Sequence, residues 1–175
     1  AGRVFKRLGL PLRQAICTKN IGLLFSRRGD YDQALQATLA ALAAFRALGR
    51  RSDIGAGHVH VGNIYYYAGR WSAALAEYAC AEAIYAEIGM EGYQLIARRN
   101  RTMIYAEQHK PEAAHVLLDS VEALAQKLGD RSELAEAWRQ RAWLLAEDGR
   151  LGEATALYSQ ARALFEQLGD PLGVA

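Results

Sequence analysis

Glycine recurs every forty residues along this chain. It stands at positions 9, 49, 89, 129 and 169, each time directly after a leucine or an isoleucine. A second series of breaks lies halfway between these glycines, at Gly29, Gly69, His109 and Gly149. Glycine adopts the left-handed conformation in which many helices end, because it has no Cβ atom. The spacing therefore predicts forty-residue units that are each interrupted twice.

The segments between the breaks have the apolar periodicity of helices. Ala34, Thr38, Ala41 and Phe45 are three or four residues apart, which is typical of an amphipathic helix. No segment alternates as a strand would. A hairpin of two helices cannot cover its own apolar face, so hairpins of equal length are expected to stack. The sequence thus predicts an all-α fold, an α-solenoid of stacked helix hairpins.

The period sets the boundaries of the units. Four repeats are predicted, at residues 10–49, 50–89, 90–129 and 130–169. Residues 1–9 align with the end of the second helix of a unit, because Phe5 and Leu8 occupy the positions of Phe45 and Leu48. Residues 170–175 are expected to start a following repeat. We therefore expect a fragment of a larger protein, whose uncapped ends associate end to end.

Small and large residues alternate at fixed positions in the units. In the second unit, Gly62 is followed by Tyr65, Gly69, Trp71 and Ala74. This pattern resembles the tetratricopeptide repeat (TPR), in the variety of about forty residues found in kinesin light chains, in polarity adaptors rich in Leu-Gly-Asn, and in bacterial regulators and CHAT-protease-associated arrays. The triplet Asn20-Ile21-Gly22 is similar to its Asn-Leu-Gly motif. The resemblance implies a right-handed superhelix of antiparallel hairpins with a concave groove.

Two features depart from the family pattern. The third unit has His109-Lys110-Pro111 where the other units have glycine at the central break. Arg101 and Arg141 occupy a packing position that is Ile21 and Val61 in the earlier units. A guanidinium at a packing position needs a carboxylate or carbonyl partner, and the sequence alone does not identify it.

The resemblance assigns the concave groove to the face of each first helix that lies opposite its packing face. Helical geometry separates this face from the packing face. The predicted groove residues are Lys19, Asn20, Leu23, Arg27, His60, Asn63, Tyr67, Arg99, Asn100, Met103, Arg139, Gln140 and Trp143.

These residues indicate the kind of ligand. The carboxamides of Asn20, Asn100 and Gln140 can both donate and accept, as pairing with the main chain of an extended peptide requires. The basic residues of the groove favour a ligand with acidic side chains or a free carboxylate. The candidate apolar anchors are Leu23, Met103 and Trp143. The predicted function is that of a non-catalytic scaffold, which binds a protein or peptide partner in the groove.

Other classes of function have little support in the sequence. His58 and His60 are only two residues apart, and no phosphate loop, nucleophile motif or paired carboxylates are present. We expect no enzyme activity, no cofactor and no metal. No apolar run is long enough for a membrane span, and no signal segment opens the sequence, so a cytoplasmic location is expected.

The charge distribution leaves two alternatives open. Residues 1–60 contain ten Lys or Arg and three Asp or Glu, whereas residues 61–175 contain eleven and sixteen. The basic half can steer an anionic partner, and the arginines from Arg98 to Arg101 suggest a nucleic-acid-binding repeat. Interleaved glutamates such as Glu107 weaken that hypothesis, so nucleic acid is not the expected partner. The second alternative is a regulatory spacer coupled to an effector domain outside this segment.

Overall fold

The computed structural model describes residues 10–170, and 86% of this part is helical, with no strand. The described helices are α1 (Pro11–Arg27), α2 (Tyr31–Ala47), α3 (Arg51–Tyr67), α4 (Trp71–Glu87), α5 (Glu91–Glu107), α6 (Pro111–Leu128), α7 (Arg131–Glu147) and α8 (Leu151–Leu168). The all-α prediction is confirmed. The predicted end segments, 1–9 and 170–175 apart from Asp170, lie outside the described residues.

The helices are joined by turns of two or three residues with a common hydrogen-bond pattern. After α1, the Gly29 amide donates to the Ser26 carbonyl and the Asp30 amide to the Phe25 carbonyl, both at 3.0 Å. This Schellman motif requires a left-handed residue at its centre, and Gly29 has a φ of +80°. His109 adopts the same conformation with a φ of +52°. The turn therefore keeps its geometry where the sequence lacks glycine.

The chain divides into two compact units, between Met90 and Glu91. Unit 1 contains α1 to α4, and unit 2 contains α5 to α8. Contacts within each unit show that the helices of a hairpin are antiparallel. Arg51 at the start of α3 pairs with Glu87 at the end of α4, and Glu91 at the start of α5 pairs with Lys127 near the end of α6.

In each hairpin, a small residue on one helix packs against a large residue on the other. Ala15 packs in one cluster with Phe45, and Ala135 in another with Phe165. The second hairpin has Gly55 against Tyr85, where an added Cβ would lie 2.8 Å from the tyrosine ring. Protein interiors are packed as densely as crystals, so a large residue on one helix requires a small residue opposite it on the other.

The third hairpin exchanges the two sizes. Leu95 on α5 is large and Ala125 on α6 is small, and both are fully buried in one cluster. The summed volume at this contact is preserved, although each helix has lost the residue type that the other hairpins have at that position.

Glycine also brings the helices of unit 1 close together. A Cβ at Gly62 would lie 2.6 Å from the ring of Tyr78, and one at Gly22 would lie 2.5 Å from the hydroxyl of Thr38. Both distances are shorter than any real side-chain contact. The small residues at this position of the repeat therefore allow the two helices of a hairpin to approach each other closely.

Unit 1 contains a polar network that the sequence did not indicate. His58 on α3 is only 8% exposed. Its Nδ1 lies 2.7 Å from Glu77 on α4, and its Nε2 lies 3.1 Å from the guanidinium of Arg46 on α2. A buried polar group is tolerated when it is hydrogen-bonded. His58 thus ties α3 to both neighbouring helices.

Unit 2 supplies the partners of Arg141. Its Nε donates to Glu122 at 2.6 Å and its terminal nitrogen to Asp119 at 2.7 Å, so α7 is fastened to α6 by two charged hydrogen bonds. These bonds raise the pKa of Arg141 against the opposing effect of burial. The expectation that a guanidinium at this position needs a carboxylate or carbonyl partner is thus met at Arg141 by two carboxylates.

Candidate functional site

A cavity of about 570 Å³ opens in unit 1, between α1 and α3. We call it the unit 1 cavity. Residues four or seven apart on one helix share a face, so Leu23 and Arg27 of α1 turn toward the same space as His60 and Tyr67 of α3. The lining residues are Leu23, Ser26, Arg27, Arg28, Gly29, Tyr31, Thr38, His60, Asn63, Ile64 and Tyr67.

The polar side chains of this cavity differ in how firmly they are held. The hydroxyl of Tyr78 donates to Oδ1 of Asn63 at 2.6 Å, which fixes the carboxamide. Tyr67 is 63% exposed, and its ring meets that of Tyr66 edge to face at 5.4 Å. Burial lowers the pKa of His60, and the charge of nearby Lys19 lowers it further. At neutral pH the imidazole is therefore uncharged.

A second cavity of about 310 Å³ lies in unit 2, between α5 and α7. We call it the unit 2 cavity. Its apolar wall consists of Met103, Trp143 and Tyr158, which are 38%, 40% and 38% exposed. Large side chains that are left partly open in a concavity are typical of anchor sites for a partner. The lining residues are Arg99, Thr102, Met103, Ala106, Glu107, Arg139, Gln140, Trp143, Leu144 and Tyr158.

Both arginines of the unit 2 cavity already have carboxylate partners. The Nε of Arg99 donates to Glu133 at 2.7 Å, and both side chains are more than four-fifths buried. Arg139 donates to Glu136, one turn earlier on α7, at 2.7 Å. A ligand carboxylate would have to compete with these glutamates. The unit 2 cavity is thus electrostatically balanced as well as apolar.

The Gln140 amide contacts a buried hydroxyl on α5. Its Oε1 lies 2.7 Å from the hydroxyl of Thr102 on α5, a residue that is only 2% exposed. The same hydroxyl lies 2.6 Å from the carbonyl of Arg99. Both neighbours are acceptor oxygens, and a hydroxyl has one hydrogen, so Thr102 donates to one of them at a time. The Gln140 amide therefore shares this donor with the Arg99 carbonyl.

Comparison with known proteins identifies the fold. No family model and no curated protein matches this chain. Solved structures do match. Aspartyl phosphate phosphatase F from Bacillus subtilis has a TM-score of 0.85 at 11% identity, over 93% of this chain and 43% of that one. The TPR-like repeats of a kinesin light chain from Podosopora anserina have a TM-score of 0.63 at 15% identity, over 95% and 92% of the two chains.

The fold of this chain is TPR-like. A third structure agrees with this assignment. The Rap conjugation gene regulator of plasmid pLS20, in complex with the Phr* peptide, has a TM-score of 0.77 at 12% identity, over 88% of this chain and 42% of the regulator. The recognised resemblance is confirmed at the level of the fold. The chain spans less than half the length of the phosphatase and of the Rap regulator.

In TPR-like terms, α1, α3, α5 and α7 are the first helices of the repeats. Ten of the thirteen predicted groove residues line one of the two cavities, five in each unit. Lys19, Asn20 and Asn100 line neither cavity. Asn20 is exposed, and the other two are half-buried.

Several lining residues were not among the predicted ones. Tyr31 and Thr38 come from α2, Arg28 from the turn before it, and Tyr158 from α8. The prediction took in only one face of each first helix, so residues from turns and second helices escaped it. Arg28 lies in a turn, beside a glycine, so helical periodicity could not identify it.

Within residues 10–170, no group of three His, Cys, Asp or Glu side chains is arranged to hold a metal ion. In the same part of the chain, none of the helices has the length and apolar character that crossing a membrane would need.

Proposed function

We propose that this TPR-like chain is a non-catalytic interaction module that binds a peptide, or an extended segment of a partner protein, along its first helices. The observation that carries the proposal is the convergence of ten predicted groove residues on the two cavities. The Rap regulator of similar fold was solved with a peptide, which supports the same class of ligand here.

The two kinds of contact that a peptide needs are both available. The Asn63 amide is held by the Tyr78 hydroxyl, so a peptide main chain would meet it with little further loss of side-chain freedom. The Gln140 amide lies within hydrogen-bond distance of the Thr102 hydroxyl. Leu23, Met103 and Trp143 are each between 37% and 40% exposed. Burying these side chains would supply most of the affinity, because amide contacts with water-exposed partners are worth little net.

The segment also fits a larger protein. A chain that spans less than half of two structural neighbours is suited to hold a partner, or another part of its own parent chain, for an effector domain elsewhere. Fold alone does not fix function. In this proposal, the activity that the chain regulates is that of the effector domain. End-to-end association of arrays remains part of this proposal.

The nucleic-acid alternative has less support. Among the arginines from Arg98 to Arg101 that suggested it, Arg99 forms an ion pair with Glu133. Arg139 and Arg141 of the same unit also form ion pairs with glutamates. Phosphate contacts would require these pairs to break, which lowers the electrostatic gain that drives binding to nucleic acid.

The proposal is tested with the tightest peptide selected from a random peptide library. Replacing Asn20, Asn100 and Gln140 together by alanine should weaken binding by about 100-fold, because three amide contacts of about 1 kcal/mol each are lost. Calorimetry measures the affinity, and circular dichroism should show unchanged helix content.

The matched control removes three exposed amides of second helices that are not among the predicted groove residues, Gln33 and Gln36 on α2 and Gln126 on α6. Its affinity should equal that of the unchanged chain. Equal affinity of the two triple variants would reject the assignment of the binding surface to the first helices.

A further inference from the structure

The unit 1 cavity gathers basic side chains without carboxylates. Arg27, Arg28 and His60 line it, and none of its lining residues is Asp or Glu. Arg27 is exposed and forms no ion pair with any described residue. Arg28 meets Asp30 at 3.4 Å, with the two side chains 75% and 36% exposed, so this contact is weak. The positive charge of the cavity is thus available to a ligand.

The neutral polar groups of the cavity also include hydrogen-bond donors. Oδ1 of Asn63 already accepts from the Tyr78 hydroxyl, and the amide nitrogen is the donor that Asn63 can offer to a ligand. Burial raises the pKa of Tyr78, which keeps this hydroxyl protonated and the amide fixed. The hydroxyls of Ser26, Tyr31 and Tyr67 lie around the same space. A ligand with several acceptor oxygens would satisfy these groups together.

The number of cations separates a phosphate from a carboxylate. A phosphorylated side chain carries close to two negative charges at neutral pH and three acceptor oxygens, whereas a carboxylate carries one charge and two oxygens. Two guanidinium groups, an imidazole that can take up a proton and an amide exceed what one carboxylate can satisfy. The unit 2 cavity is different, since its two arginines are already neutralised by glutamates.

We propose that the unit 1 cavity binds the phosphate group of a phosphorylated side chain on the peptide ligand. This rests on the proposed function only in taking the ligand to be a peptide. Arg27 and Arg28 hold the phosphate oxygens from α1 and the turn that follows it, while His60 and Asn63 donate from α3. Phosphorylation of the partner then switches binding on.

His60 reports directly on occupation of the site. In the free chain its pKa is lowered by burial and by Lys19. A phosphate dianion beside the imidazole favours the protonated form, so the pKa of His60 should rise on binding. The groups that face this ring include Lys19 and Arg27 on α1 and Asn63 and Tyr67 on its own helix, and only the bound phosphate adds negative charge.

The experiment is an NMR titration of the isotopically labelled chain at constant ionic strength, with capped phosphoserine amide as the probe and capped glutamate amide as its comparison. Phosphoserine should saturate, move the signals of residues around the unit 1 cavity, and raise the pKa of His60. Glutamate should bind at least tenfold more weakly. Arg27→Ala should weaken phosphoserine binding at least tenfold.

The control is Arg162→Ala, which removes the same charge from an exposed arginine that lines neither cavity. It should leave phosphoserine binding unchanged. Equal loss in the two variants would overturn the proposal by showing general charge attraction, and so would equal binding of glutamate or tighter binding of single-stranded RNA at this site. If phosphoserine fails to bind while the selected unphosphorylated peptide still binds, this inference falls and the proposed function stands.

Discussion

Units 1 and 2 build the same pair of hairpins from different side chains. Unit 1 uses glycine inside its first helices, so that Thr38 lies directly on the backbone of α1, and Tyr78 and Tyr85 on that of α3. In unit 2, Gly92 and Gly152 lie in the first turn of their helices, where an added Cβ would have no neighbour within 4 Å. Helix spacing there depends on alanine, leucine and threonine. The difference teaches that this architecture constrains summed volume and not the identity of either partner.

The two cavities differ in the same way. The unit 1 cavity has no carboxylate among its lining residues, whereas the arginines of the unit 2 cavity are paired with glutamates and its wall presents Met103, Trp143 and Tyr158. One repeat pattern therefore supports a polar, donor-rich site and an apolar site. The packing positions are common to the two units, while the outward positions set the ligand chemistry.

The exchange of sizes in the third hairpin gives the largest expected effect. Leu95→Ala leaves two alanines facing each other in unit 2 and should lower the free energy of unfolding by about 3 kcal/mol, because a cavity replaces a fully buried side chain. Adding Ala125→Phe recreates the Ala and Phe pair of the first hairpin and should recover at least half of the loss. Urea denaturation measures both, and a double variant as unstable as the single one would refute volume exchange.

The ion pair of Arg141 gives an intermediate effect. Arg141→Ala should cost about 1–2 kcal/mol, because Glu122 on α6 loses a charged hydrogen bond at 2.6 Å in a partly buried position. The earlier packing position has Leu42 and Val61 with the same spacing of nineteen residues. The double change Glu122→Leu with Arg141→Val should therefore restore most of the stability. Additive losses in the double variant would contradict this equivalence.

The turn at His109 gives the smallest effect. A left-handed residue with a Cβ atom costs about 1 kcal/mol relative to glycine, and His109 has a φ of +52°. His109→Gly should raise the free energy of unfolding by up to about 1 kcal/mol. Gly29→Ala at the matching turn of unit 1 should lower it by a similar amount, since Gly29 has a φ of +80°. Thermal unfolding compares the two, and a destabilised His109→Gly variant would argue against backbone strain.

Much of the fold could be predicted from the sequence, because local signals repeat. The glycine breaks and the three-and-four spacing act within one helix, so the helices and turns follow from them. The charge partners did not follow in the same way. Glu133 lies thirty-four residues from Arg99, a separation that depends on how α5 and α7 pack. The partner of Arg141 had a signal, since Glu122 stands nineteen residues before it as Leu42 stands before Val61.

The candidate site was predicted in part for a related reason. Outward-facing positions on first helices, such as Leu23 and Trp143, follow from helix geometry alone. The contributions of Tyr31 and Tyr158 require the placement of second helices, which sequence spacing does not specify. The division between Met90 and Glu91 is equally silent in the sequence, because Gly89 resembles every other break.

Each helix starts twenty residues after the previous one, and the turns share one hydrogen-bond pattern. Removing or duplicating forty residues at any glycine would consequently join two ends that already match. An array of this kind can grow or shrink by recombination between its own repeats without inventing a new connection, so that the number of ligand-contacting surfaces can evolve separately from their chemistry.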